Sequence, residues 1–231
     1  MLLPLAHSEA VRAAFPALAC GIVQVVGISA APDASVATRP YLDLAFRSLS
    51  RQSESDFPEG QDFPEGQAWR RAFSAMGIKP TQYRCASEAF LRRLRKDGTL
   101  PPVHPLVDLC NAVSVAFAIP IAVFDIERAK GELTVRPARG NEPYVIFSGT
   151  IETLEPGEIL FADVSKQVHA RRWTNCQSAA SAVGPATTDT LLVAEARHSN
   201  AQADMGHLIS NLCEAVRSVW PKASVEDRGA A

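Results

Sequence analysis

The chain has 231 residues, 47% of them hydrophobic and 21% charged, with a formal net charge of −2. That length suits one large domain or two small ones with a real core, and the composition excludes a disordered, fibrous or membrane-embedded class. The near-neutral balance excludes a chain that is basic throughout, so a polyanion partner would have to be met by local clustering.

In chain order, "GIVQVVGIS" (21–29) is a β-rich run that reads as a buried strand. "RPYLDLAFRSLSRQ" (39–52) has apolar residues at 42, 44, 45, 46 and 49, the spacing of a helix. Next comes "DFPEGQ" at 56–61, repeated perfectly at 62–67. This Pro/Gly/acidic tandem predicts an exposed duplicated loop over 53–68, where inserted length costs little. "QAWRRAFSAMG" (67–77) reads as a helix stopped by Gly77, and "IKPTQYR" as a loop. "SEAFLRRLRKDG" (87–98) is another helix, with Ser87 as N-cap and Gly98 past its end.

"PLVDLCNAVSVAFA" (105–118) has Pro in its first turn and apolar residues on most sides, which predicts a buried helix. Pro120 ends it and "IAVFD" follows as a strand. "ELTVRPA" is expected to pair with "PYVIFSG" in a second β region, and "EILFAD" (158–163) is a further strand. Helical spacing returns at 205, 208, 209, 212, 216 and 219, over 203–220. Strands and helices intermix, with β structure concentrated in 121–163, so the fold class is α/β (α+β): a mixed β-sheet core with packed helices.

Five cysteines, at 20, 85, 110, 176 and 213, contain no C-x-x-C pair. That argues against a disulfide framework and for a reducing cytoplasmic setting. The longest apolar stretch, 112–124, is interrupted by Ser114 and Pro120 and falls short of the roughly 18 residues that span a bilayer. The first residues lack the basic and apolar regions of a signal peptide. There is no Walker A, G-x-G-x-x-G, G-x-S-x-G or H-E-x-x-H motif, and His7, His104, His169, His198 and His207 show no metal-ligand spacing. No cofactor and no metal are expected.

Charge is uneven. From Trp69 to Lys96 the basic residues are Arg70, Arg71, Lys79, Arg84, Arg92, Arg93, Arg95 and Lys96, against Glu88 alone. A phosphate-binding face and a solvated helix face both explain this. "VHARRWTNCQSAAS" (168–181) places Arg171, Arg172 and Trp173 near Gln177. Trp beside two Arg suits stacking on a base and clamping phosphate, while Trp is also a common core residue. Asn111 and Ser114 sit three apart inside an apolar helix. Burying an amide without partners costs a few kcal/mol, so they either make bonds within a core or line a pocket.

"LPPVHPLVDLCNAVSVAFAIPIAVFDIERAKGELTVRPARGNEPYVIFSG" (100–149) resembles the B3/B4 domain of the phenylalanyl-tRNA synthetase β chain. The shared pattern is carried by Leu106, Val107, Asp108, Asn111 and Val113, then Pro120, Phe124, Asp125 and Gly131, then Glu142 and Gly149. The flanking "WRRAFSAMGIKPTQYRCASEAFLRRLRKDG" and "RRWTNCQS" look like free-standing members of the family, and the likeness covers about residues 11–220. It implies a single B3/B4-like domain over 1–231.

The resemblance further implies editing, the hydrolysis of the ester of a tRNA charged with the wrong amino acid, chiefly tyrosine in the synthetase. On it, Asn111 falls on a pocket asparagine and Gly149 on a pocket glycine that permits close approach. Ser114 would lie one helical turn along the same face. Two positions depart from the pattern: Cys110 replaces threonine and Ala122 replaces histidine, which weakens the case for tyrosine as substrate. The implied activity is trans-editing of aminoacyl-tRNA. Glu142 and Asp163 are the candidate catalytic carboxylates. Asn111, Ser114, Gly149 and Gln177 bind substrate, and Lys79, Arg84, Arg92, Arg93, Arg171, Arg172 and Trp173 grip RNA. A non-catalytic tRNA-binding module and an amino-acid or small-molecule binding protein remain as alternatives.

Overall fold

The computed structural model describes residues 3–51 and 63–229. In chain order the elements are β1 (Leu5–His7), α1 (Glu9–Ala14), β2 (Ala19–Val26), α2 (Ser35–Ser50), α3 (Pro64–Ala75), α4 (Ala86–Asp97), α5 (Pro105–Phe117), β3 (Ile121–Asp125), β4 (Leu133–Pro137), β5 (Pro143–Val145), β6 (Ile151–Thr153), β7 (Ile159–Ala162), β8 (Val168–Arg171), β9 (Cys176–Gln177), β10 (Asp189–Ala196), α6 (Ala201–Val219) and β11 (Ser224–Asp227). The mixed α/β class expected from the sequence is the one observed.

Two sheets stack beneath a helical layer. The smaller sheet is antiparallel, in the order β11-β2-β10-β3. The larger runs β1-β4-β7-β8-β5-β6, with β9 on β8. Side-chain alternation along the smaller sheet sorts two cores. Val23, Val25, Val123 and Leu192 point to Leu109 and Val113 of α5 and Leu208 and Leu212 of α6. Ile22, Phe124, Leu191 and Val193 point the other way, to Val135 and Phe161 of the larger sheet and to Phe73 of α3. Gly21 marks the closest approach of helix to sheet. A Cβ there would lie 2.6 Å from the Ile209 side chain of α6, so any larger residue would force Ile209 and Met205 to shift.

Four points of the sequence reading are completed or corrected. Strand β10, at the centre of the smaller sheet with partners on both sides, was not anticipated. Its apolar run "LLVA" (191–194) is too short for periodicity alone to separate it from a buried helix turn. The segments "ELTVRPA" and "PYVIFSG" share a sheet but do not pair, because β7 and β8 lie between β4 and β5. Cys85, not Ser87, is the N-cap of α4. Ser87 lies within the helix and its Oγ donates to Ala118 O at 2.9 Å, holding the end of α5.

The fourth concerns the loop expected over 53–68. The second repeat copy starts α3, with Phe63 as N-cap and Pro64 in the first turn, where its missing N–H costs nothing. Ala68 and Trp69 are buried. The first copy lies outside the described residues. Deleting one copy gives the same polypeptide whichever copy is removed, so the survivor still supplies the start of α3. Such a deletion is expected to change the melting temperature by less than about 4 °C, since a change of roughly 1 kcal/mol shifts a domain of this size by that much at most. A larger fall in a thermal melt would show that the loop length itself is needed.

All five cysteines are free, and Cys176 is the exposed one. No described helix is long and apolar enough to cross a membrane.

Candidate functional site

Helix α5 positions the site. It starts at His104, whose Nδ1 accepts from Leu106 N at 3.2 Å, and Pro105 follows in the first turn. Asp108 folds back to accept from Val103 N at 2.8 Å. The helix ends at Ala118 in a left-handed conformation (φ 55°). This places Asn111 mid-helix, 8% exposed. Its amide makes no hydrogen bond among the described residues.

Asn111 stands between two hollows. One, of ≈ 380 Å³, lies toward α2 and is bordered by Thr38, Leu42, Leu100 and Asp108. The other, of ≈ 260 Å³, lies between α4, α5 and β3 and is bordered by Phe90, Val107, Val123, Phe147 and Gln177. The second hollow continues into a narrow cleft through shared walls at Ala86, Ile121, Asn175 and Gln177. The cleft ends at Trp173 and Glu195. Together they form a groove with apolar walls and a few amides. Phe147 and Val103, 73% and 66% exposed, stand at its mouth.

The expected substrate residues divide. Gln177 lines the groove, with its Nε2 donating to Val123 O and its backbone carbonyl accepting from Tyr144 OH at 2.9 Å. Asn175, not anticipated, lines it too, and its Nδ2 donates to Arg84 O. Both amide nitrogens are held by the protein, which leaves their side-chain oxygens as acceptors. Ser114 does not share the pocket. It is 1% exposed and its Oγ donates to Ile119 O at 2.7 Å, closing its own helix. Gly149 does not line the groove either. It has φ +88° in the turn after Phe147, and a Cβ there would meet nothing within 4 Å. Its glycine is explained by the turn, not by close approach. Of the departing positions, Cys110 is buried in the helix–sheet core, where burial pushes its thiol far up. Ala122 lines the narrow cleft.

The expected carboxylates are placed elsewhere. Glu142 is buried and accepts from the backbone N–H groups of Arg139, Gly140 and Asn141 and from Arg136 Nη1 at 2.6 Å. Burial raises its pKa, but the Arg139 N–H, the Arg136 guanidinium and the Asn141 N–H outweigh that and hold it at about 2. Asp163 is buried and accepts from the N–H groups of Lys130, Ser165 and Gln167 and from Ser165 Oγ. Burial again pushes up, and the Ser165 hydroxyl, Lys130 N–H and nearby His169 pull its pKa below the usual range. Neither lines the groove. Each holds a tight turn of the larger sheet, and a carboxylate that saturated is a weak base.

The basic residues also divide. Arg171 is buried, paired with Glu158 at 2.9 Å and Glu152 at 2.7 Å. Trp173 has no exposed surface and packs against Phe15 and Trp69. Neither can grip RNA as expected from their composition. Arg84 lies 3.2 Å from Glu88, which Arg70 also holds. Arg172 stacks over Tyr83 at 4.1 Å. Lys79 and Arg93 are exposed and Arg92 partly so. Arg93 also faces Asp97 at 3.6 Å. On α4, Ala86, Phe90 and Arg93 recur at helical spacing, so Arg93 continues the helix face that borders the groove.

The closed end of the groove holds a network that the sequence did not announce. Glu195 of β10 is 2% exposed, its Oε1 2.7 Å from His7 Nε2 and its Oε2 accepting from Trp173 Nε1 at 2.9 Å. His7, Trp173 and Glu195 are far apart in the chain, and only the register of β10 brings the carboxylate to this face.

The family model described as the B3/4 domain matches residues 68–210. The phenylalanine–tRNA ligase beta subunit of Nocardia farcinica is 30% identical over 154 residues, covering 67% of this chain and 18% of that protein. That of Nitrobacter winogradskyi is 39% identical over 72 residues, covering 31% of this chain and 9% of that protein. The chain thus spans a small part of the length of these relatives. An N-terminal fragment of the phenylalanyl-tRNA synthetase beta-subunit from Pyrococcus horikoshii superposes with a TM-score of 0.51 at 9% identity, covering 97% of this chain and 50% of that one. At that identity the likeness is one of fold. A helix–sheet–sheet stack with a groove along α5, matched by the family model over residues 68–210, makes this chain a member of the B3/4 domain family.

Proposed function

We propose that the protein is an editing-type deacylase acting in trans, which hydrolyses the ester of an aminoacyl-tRNA. The observation that carries this reading is Asn111, a largely buried amide that makes no hydrogen bond among the described residues and faces a groove at a position matching the family pattern. The residue is largely buried, but its amide atoms open on the groove, where a ligand can replace water as their hydrogen-bond partner. Asn175 and Gln177 offer oxygens to an amino group, and the apolar walls take the side chain. Phe147 at the mouth offers a face on which the terminal base can stack. Glu195 at the cleft has both carboxylate oxygens engaged, and Asp108 and Asp33, which line the hollow toward α2, each accept a hydrogen bond from backbone N–H. Proton movement therefore falls to the substrate's own ribose hydroxyl orienting a water.

The engagement of both Glu195 oxygens within the protein favours a second reading, a tRNA-binding module without hydrolysis. Incubation with a set of mischarged tRNAs decides between them. Release of free amino acid above the spontaneous rate supports the first, and binding without release supports the second.

Either reading expects electrostatic RNA binding through Lys79, Arg92, Arg93 and Lys96. Affinity should fall with salt by a slope of about −0.7 per phosphate neutralised on a single strand. Arg92→Glu with Arg93→Glu should weaken tRNA binding about tenfold or more in a gel shift at fixed salt. Salt-independent binding, or no loss in the double variant, would remove α4 from the interface.

A further inference from the structure

A second cluster lies apart from the groove, where the start of α3, the loop after β10 and the first turn of α6 meet. His198 Nε2 is 2.7 Å from Asp204 Oδ2 and 3.9 Å from Glu65 Oε1. One ligand atom from each of Glu65, His198 and Asp204 falls within 4.8 Å of the others. The remaining oxygen of Glu65 and the remaining ring nitrogen of His198 are both buried without a hydrogen-bond partner. His198 itself is 6% exposed. Asn200 Nδ2 donates to Asp204 Oδ1 at 2.9 Å and fixes that carboxylate.

We propose that Glu65, His198 and Asp204 bind one divalent first-row transition-metal ion. Ligand atoms about 2.0–2.2 Å from a shared cation sit roughly 3–3.7 Å from each other. The distances of 2.7 and 3.9 Å from His198 bracket that range, and the two carboxylate oxygens lie within 4.8 Å of each other, so side-chain shifts of at most about an ångström complete the set. The 3.9 Å separation is too long for a hydrogen bond and suits two groups flanking a common ion. Two carboxylates and one imidazole are a donor set for Mn²⁺, Fe²⁺ or Zn²⁺, harder than a thiolate site and softer than an all-oxygen one. One imidazole facing two carboxylates leaves an excess of negative charge that a dication relieves. The side chain of Asp204 is 35% exposed, which gives the ion an entry path and leaves its outer positions to water. His7, Cys20 and Glu195 form another trio within the same reach. There no side-chain nitrogen or oxygen is buried without a partner, unlike at Glu65 and His198.

The ion would tie α3 to α6, and it gives a role to the repeat, whose second copy supplies Glu65. The spacing of the histidines could not reveal it, because the three ligands come from three distant segments.

The test is titration of the chelator-stripped full chain with Mn²⁺ and, separately, Zn²⁺. Readouts are calorimetric stoichiometry, the Mn²⁺ paramagnetic resonance signal and the melting temperature. One ion per chain is expected, with a melting temperature raised by about 5–10 °C at a hundredfold excess over Kd. Glu65→Gln, His198→Gln and Asp204→Asn should each weaken binding tenfold or more, and His207→Gln at an exposed position should not. Asp204→Asn keeps the proposal testable if a change at the more buried His198 prevents folding. The proposal is overturned if neither ion binds, if binding is unchanged in Glu65→Gln and Asp204→Asn, or if loss follows His7→Gln instead.

Discussion

Asn111→Ala is expected to lower deacylation of a mischarged tRNA about tenfold or more and to leave the melting temperature within about 4 °C of the parent. The asymmetry follows from its surroundings. A core asparagine bonded to backbone would strand its partner on truncation and cost about 1–3 kcal/mol of stability. Asn111 has no such partner among the described residues, and truncation widens a groove that is already open to solvent. The same 1–3 kcal/mol would be lost from the complex instead, and 1.4 kcal/mol is a factor of ten in rate or affinity. Paired thermal melts and single-turnover deacylation assays of parent and variant measure both. A variant that melts much earlier while its folded fraction turns over normally would return Asn111 to the core and remove the groove from the chemistry.

Glu142→Ala is expected to do the reverse: to destabilise the fold by about 3 kcal/mol, with little effect on turnover by the folded fraction. Removing the buried carboxylate leaves the Arg136 guanidinium and three backbone N–H groups without their acceptor, and breaking such a pair typically costs about 3–5 kcal/mol. At 2–4 °C per kcal/mol for a domain of this size, the melting temperature should fall by about 6–12 °C. The same group sets an acid limit. Its pKa is about 2 in the fold against an ordinary 4.5, so its contribution is fully present above 4.5 and is lost as pH falls through 2. Asp163, also lowered, acts in the same direction. Acid unfolding of the parent should therefore be steepest below pH 4.5, and the Glu142→Ala variant should show a shallower dependence there. A loss of turnover in well-folded Glu142→Ala would place this carboxylate in the reaction after all.

What the sequence determined by itself is local. Pro105 and Pro120 bracket α5, the apolar spacing buries it, and Asn111 stands out because a polar side chain in such a helix needs a reason. Gly98 ends α4 in the left-handed conformation its position predicts (φ 70°). The ordered pattern from Leu106 to Gly149 carries the family, and with it the mixed α/β fold. Gln177 stood out in the sequence and lines the groove, whereas Asn175, which lines it too, did not stand out.

The tertiary structure decided everything that depends on a partner distant in the chain. Arginine, tryptophan and glutamate have the same chemistry in a core as in a site. What differs is whether another segment has already met their hydrogen-bonding and charge requirements. Arg171 is met by Glu152 and Glu158, Trp173 by Glu195, Glu142 by Arg136 and its own turn, and Ser114 by the end of its own helix. Strand β10 escaped because its apolar run has no period of its own until β2 and β3 flank it. Glu65, His198 and Asp204 converge because α3 and α6 both pack against that strand. A sequence lists the groups that need partners, and packing decides which of them are left for a ligand.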